Sequence, residues 1–241
     1  MAHDATVRSS APATSTARAP AGQPPLAQRL AAEAIASFFL FACVIGSGIM
    51  ASNLAQGNDA VALLANTIAT GAILFVLITI FGPVSGAHMN PAVTLVAASR
   101  RDLPWSEAAA YIGAQLAFGI AGAWAAHLMF DLPTLQVSLR ARTGLGQWAG
   151  EAIATFGLVL TILGTLRYRR SAVAAAVALY ICAAYWFTSS TSFANPAITV
   201  ARSLSDTFAG IAPRDVPGFV IAQLVGAAAG ALAARHLFDR A

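Results

Sequence analysis

Apolar positions in this chain gather into six long runs, roughly 30–51, 61–82, 106–130, 147–166, 171–190 and 217–238, and most of the arginines fall between them. A helix of about 20 residues crosses a hydrocarbon core of about 30 Å. The pattern therefore predicts six membrane-spanning helices and an all-α membrane protein. Two shorter segments interrupt the rhythm, each opening on Asn-Pro-Ala: "AHMNPAVTL" at 87–95 and "FANPAITVAR" at 193–202. As helix, the stretch from Asn90 to Arg100 is about 15 Å long, half the core. It can enter a membrane but not cross one.

Both segments belong to an internal duplication. "AEAIASF" at 32–38 returns as "GEAIATF" at 150–156, which sets Glu33 opposite Glu151. "NPAVT" at 90–94 returns as "NPAIT" at 195–199, "AQL" at 114–116 returns at 222–224, and "LMFD" at 128–131 is echoed by "HLFD" at 236–239. The order is kept, at offsets of 118, 105, 108 and 108 residues. Each half, about 26–131 and about 145–239, holds three spans and one Asn-Pro segment within a single transmembrane domain over 26–241. Three crossings separate the two segments. That number is odd, so they dip in from opposite faces as an inverted repeat.

Arginine placement orients the chain. With the N-terminus inside, ten arginines (8, 18, 29, 100, 101, 167, 169, 170, 235, 240) share one side and four (140, 142, 202, 214) the other. The positive-inside rule then puts both termini in the cytoplasm, and the cell's inner membrane is the expected location. Arg202 falls near the outer mouth.

Composition agrees with lipid as the main solvent. Hydrophobic residues make up 58% of the 241 and charged residues only 10%, against about 25% charged in a soluble domain. The net charge of +4 comes from arginines scattered between spans, so topology explains it and nucleic acid is not an expected partner. Cys43 and Cys182 lie inside apolar runs without metal-ligand spacing, as packing thiols do. No cofactor or metal is expected. Residues 1–25, rich in Ala, Ser, Thr and Pro, read as a disordered tail with only a faint transit-peptide character. Run 30–51 is too long for a signal-peptide core and should be retained.

Helix starts at mid-membrane need partners for their backbone, which only protein or a water-filled cavity supplies. Proline suits the first helical turn, where its missing N–H would go unpaired anyway. Asparagine suits the N-cap, its side-chain oxygen accepting a first-turn N–H and its NH₂ left to donate into a lumen. Two such ends meeting at the midplane carry two positive dipole ends, each equivalent to about half a charge. A neutral solute with a lone pair is favoured there, and a cation is repelled. Water held between Asn90 and Asn195 points its oxygen at both, which interrupts a proton wire.

On these residues, above all "SGAHMNPAVTL" and the "NPA" of 195–197, the chain resembles the aquaporin (major intrinsic protein) family over about residues 27–239. The resemblance implies six helices and two re-entrant half-helices, one pore per subunit, a homotetramer, and passive conduction of water or small uncharged solutes without ions or protons. It makes Asn90, Pro91, Ala92, Asn195, Pro196 and Ala197 the pore centre.

One departure matters. Where the family's second motif runs on into an arginine that narrows the outer constriction, this chain has Ile198. Arg202 follows one turn later, about 6 Å further along and turned by about 40°. It either reaches inward or pairs with Asp206 at i+4, and the pairing is the expected outcome. Counting back from the motifs, the other filter positions fall on Thr70, Ala183 and Ser192, where strict water channels place an aromatic and a histidine at the first two. The set Thr70, Ala183, Ser192 and Ile198 implies a wider filter, unless Tyr185 or Phe187 fills the gap. Such a filter suits glycerol, urea or undissociated metalloid hydroxides such as arsenous acid. The stretch "TSFANPAITVARSLSDTFAGI" looks like bacterial aquaporins associated with arsenic resistance.

Glu33 and Glu151 are intramembrane acids in matching places. A proton relay would use them, but their pairing with the two loops favours carboxylates that accept loop N–H groups. His88 either lines the inner vestibule or bonds loop carbonyls, and His127 and His236 read as packing or interfacial. Gly119, Gly122, Gly226 and Gly230 suit close helix approach in lipid. Three alternatives stay open: a strict water channel, a secondary transporter coupled through Glu33 and Glu151, and an ion channel freed by the missing arginine. An enzyme is not expected.

Overall fold

The computed structural model describes residues 22–238, so the expectation of a disordered tail falls, for residues 1–21, outside the described residues. Among the described residues, six helical spans are long and apolar enough to cross a membrane: α1 (Leu26–Leu54), α2 (Asp59–Ser85), α4 (Trp105–Met129), α5 (Leu145–Tyr168), α6 (Val173–Phe187, continuous with a 3₁₀ turn at Arg170–Ala172) and α8 (Val216–Phe238). Two short helices complete the set, α3 (Pro91–Ser99) and α7 (Pro196–Ser203). The predicted runs match these spans to within a few residues. The largest difference is at α1, which begins at Leu26, four residues before the predicted run; α6 ends at Phe187, three residues early, because the chain there leaves the helix and turns inward towards Asn195.

Local chemistry sets the boundaries. Asn58 starts α2 by accepting from the N–H groups of Ala60 and Val61 at 3.1 and 3.2 Å. Gly86, with φ of +89°, ends it in the left-handed conformation that suits glycine. The first four helices then recur as the second four. α1 packs on α4 as α5 packs on α8, α1 on α2 as α5 on α6, and each short helix also lies against the last long helix of the other half, α3 on α8 and α7 on α4.

The two tightest crossings rest on glycine. A Cβ at Gly122 of α4 would overlap the Phe38 carbonyl of α1, and one at Gly226 of α8 would overlap the Ala152 carbonyl of α5. Lipid gives little apolar drive for helix association, so close backbone approach has to supply the packing. At the end where α1 begins and α8 finishes, Arg29 and Glu107 form an ion pair of 2.7 Å between α1 and α4. Cys43 and Cys182 are free, half-buried thiols, each 3.5 Å from a carbonyl of α2.

Candidate functional site

Both short helices begin in the middle of the bundle, and their first residues are nearly identical in geometry. Asn90 (φ −157°, ψ 117°) and Asn195 (φ −155°, ψ 112°) are extended N-caps followed by proline. Asn90 Oδ1 accepts from Ala92 N at 2.9 Å. Asn195 Oδ1 accepts from Ala197 N at 3.0 Å and Ile198 N at 3.3 Å. Each amide then reaches across the pseudo-twofold. Asn90 Nδ2 donates to Ala194 O, and Asn195 Nδ2 to Met89 O, both at 2.7 Å. A carboxamide has two N–H donors, so one ties the halves together and one is left for a lumen. The sequence expectation of a wholly free NH₂ is corrected to that extent.

Strain in the two loops explains the glutamates. Ala87 and Met89 before Asn90, and Ser192 and Ala194 before Asn195, all have φ between 47° and 51°, a left-handed conformation that costs a non-glycine residue about 1–2 kcal/mol. Buried carboxylates hold them. Glu33 accepts from His88 N and Met89 N at 2.8 Å each, from Ser85 Oγ at 2.7 Å and from Gln115 Nε2 at 2.8 Å. Glu151 accepts from Phe193 N and Ala194 N at 2.8 Å each and from Gln223 Nε2 at 2.6 Å. Gln115 and Gln223 donate onward to Thr94 Oγ1 and Thr199 Oγ1 at 3.0 and 2.9 Å, and those hydroxyls donate to the Asn90 and Asn195 carbonyls. Sequence reasoning missed the two glutamines and two threonines, although all four lie inside its own repeats, "AQL" and "NPAVT"/"NPAIT".

One cavity of about 1350 Å³ connects these elements. At the end where α1 begins its lining includes Arg100, Arg101, Arg167 and Arg170. It passes His88, Asn90 and Asn195, with Leu40, Val44, Leu74, Val177 and Ile181 as apolar wall, and reaches Thr70, Tyr185, Ser192, Ile198 and Arg202. Pro91, Ala92, Pro196 and Ala197 lie buried behind the caps. The His88 ring lines the cavity and its Nδ1 is 3.1 Å from Thr94 Oγ1, a partner that sequence reasoning did not consider. His127, fully buried, joins Thr134 O and Ser205 Oγ at 2.9 and 2.8 Å.

Two expectations are corrected at the far end. Ala183 is exposed on the outside of α6 and does not line the cavity. Counting back through a loop put it one helical face out, whereas the lining residues of α6 include Val173, Val177, Ile181 and Tyr185, one turn apart on one face. Tyr185 occupies the place, with its hydroxyl 3.2 Å from Thr70 Oγ1, while Phe187 is 57% exposed. Ser192 Oγ is buried there without a hydrogen-bond partner among the described residues.

The second correction concerns Arg202, which does not pair with Asp206. The Asp206 carboxylate accepts from Leu139 N at 2.9 Å, since the segment after α4 returns over it. Arg202 is only 4% exposed. Its Nε donates to Ala209 O, and its guanidinium carbon stands 3.3 Å from the centre of the Phe193 ring. Arg142, from the α4–α5 connection, approaches the same ring at 5.0 Å and donates Nε to Gly210 O at 2.8 Å. Burial and the neighbouring Arg140 pull the Arg142 guanidinium down to about 10, which leaves it charged at neutral pH.

Comparison with known proteins agrees with this geometry. The family model described as "Major intrinsic protein" matches residues 21–189. The chain is 57% identical over 216 residues to the aquaglyceroporin AqpS of Rhizobium meliloti (strain 1021), covering 90% of this chain and 92% of that one. It is 30% identical over 218 residues to the aquaporin NIP1-1 of Oryza sativa subsp. japonica, covering 87% and 74%. Among solved structures, the aquaglyceroporin from Plasmodium falciparum superposes with a TM-score of 0.68 over 90% of this chain and 96% of that one, at 17% identity.

Proposed function

This chain belongs to the major intrinsic protein family and is a multi-pass membrane channel for water and small solutes; on that footing we propose that its solutes are water and small uncharged polyol-like molecules, with undissociated arsenous acid among them. The observation that carries the reading is the reciprocal tie of Asn90 and Asn195 across one continuous cavity. Each amide keeps one N–H for the lumen, at the positive end of a short helix. A carbinol or water oxygen is welcomed there; a cation meets positive potential and loses hydration.

The far end sets the solute range. Thr70 and Tyr185 bring hydroxyl side chains to the lining, and Ile198 adds apolar surface. That pairing of polar and apolar walls suits a molecule with hydroxyls on a hydrocarbon stem. Both glutamates are fully engaged with loop N–H groups and glutamines, which favours the channel over a proton-coupled transporter. Residues 26–241 act as one channel domain. The arginine-rich end faces the cytoplasm with both termini, the inner membrane is the location, and four copies assemble through apolar faces of the kind that Ile68 and Leu179 expose.

Light scattering on proteoliposomes with a solute panel tests the proposal. Water, glycerol and arsenous acid should all pass; vesicles permeable to water but tight to glycerol and arsenous acid would overturn the solute range. Ile198→Arg should slow glycerol by about tenfold or more while water falls less, because a guanidinium added at a buried lining position removes volume there. Equal loss of both solutes would show that Ile198 does not set width.

A further inference from the structure

We infer that Arg202, seated on the Phe193 ring, takes over the size limit and cation exclusion that Ile198 cannot provide; this rests on the channel reading above. The 105-residue offset maps Val93 and Ala97 of α3 onto Ile198 and Arg202 of α7, and all four line the cavity. Ile198 and Arg202 therefore share the lumen face of α7, one turn apart. One half has a small alanine at this second position, and the other half a cation.

The Phe193 ring gives Arg202 a fixed seat. The same offset maps His88 onto Phe193. Phe193 N is fixed on Glu151 at 2.8 Å, and its ring packs on Phe219 at 5.0 Å between centroids. Arg202 stacks at 3.3 Å on that ring with Nε on Ala209 O. A guanidinium has five N–H donors in a rigid plane, so stacking and one carbonyl fix its direction and leave the Nη groups as further donors. Arg142 sits on the same ring from the other segment.

Arg29–Glu107 and Arg100–Asp102 are ion pairs among the described residues, and neither Arg202 nor Arg142 has a carboxylate partner at ion-pair distance. A buried cation without an ion-pair partner repels another cation in the cavity more strongly than it would in bulk water. Tyr185, Thr70 and Ser192 line the cavity at the same end, so a solute there is bounded by hydroxyls as well as by the guanidinium.

Solute cut-off and proton leak in proteoliposomes test the assignment. R202A should pass four- and five-carbon polyols about tenfold faster than the native channel, with water still conducted, and should admit protons or sodium. Adding Ile198→Arg to R202A should restore both limits, which a merely structural role for Arg202 would not allow. R202A that conducts water with unchanged polyol rates and no leak would overturn the inference. If R202A does not assemble, Phe193→Leu decides: it keeps the arginine but removes its seat, so faster polyol flux supports the inference and unchanged flux overturns it. Native vesicles without water permeability would instead remove the channel reading itself.

Discussion

Replacing Glu151 by leucine is expected to abolish conduction and to cost much of the folded state. The carboxylate holds Phe193 N and Ala194 N and the Gln223 amide, all buried in the bundle. Leucine offers none of them an acceptor, and each orphaned donor costs about 1–3 kcal/mol. Three together amount to roughly 3–9 kcal/mol, comparable with the whole stability of many proteins. The loop would leave the left-handed conformation of Ser192 and Ala194, and Asn195 would lose its register with Met89. Size-exclusion profile and melting temperature in detergent, with water flux on what survives, check this. Glu151→Gln, which keeps one acceptor oxygen, should fall between the two. A leucine variant that melts like the native protein would remove the support role from Glu151.

Asn195→Asp should keep the cap and spoil the pore. A carboxylate still accepts from Ala197 N and Ile198 N, and its charge suits a helix N-terminus. It cannot donate to Met89 O, which Asn195 Nδ2 meets at 2.7 Å, and two acceptors now face each other. Losing this tie costs about 1–3 kcal/mol. A negative charge replaces a donor at the narrow centre and cancels the positive dipole end. Cation or proton flux should appear where there was none, and water flux should drop about tenfold. Planar-bilayer current together with vesicle shrinkage checks both, and an electrically silent variant with native water flux would show that the amide has no part in exclusion.

Much of this architecture was legible because lipid imposes simple patterns. Run length gave the spans, and duplicated words such as "NPAVT" and "NPAIT" gave the inverted repeat, since a spatial symmetry copied in sequence survives as ordered matches. The support role of Glu33 and Glu151 followed from their position in those repeats. The far end of the cavity was less legible. Counting to Ala183 crosses a loop whose path the count cannot know; the four-residue rhythm of Val177, Ile181 and Tyr185 points to Tyr185. Asp206 lies at helical spacing from Arg202, but Leu139, 67 residues away, takes its carboxylate. The Phe193–Arg202 stack joins a loop to a helix that begins after it, so no periodicity marks it. The cross-tie of Asn90 to Ala194 spans 104 residues, and only a folded chain displays it.

Water flux without proton flux, measured in the same vesicles, is the most direct test of the paired asparagine caps. Purified chain in liposomes carrying a pH-sensitive dye should shrink rapidly under an osmotic step while the internal pH holds against an imposed gradient. Vesicles that shrink no faster than bare lipid, or whose pH collapses as they shrink, would contradict a lumen crossed by two opposed asparagine donors.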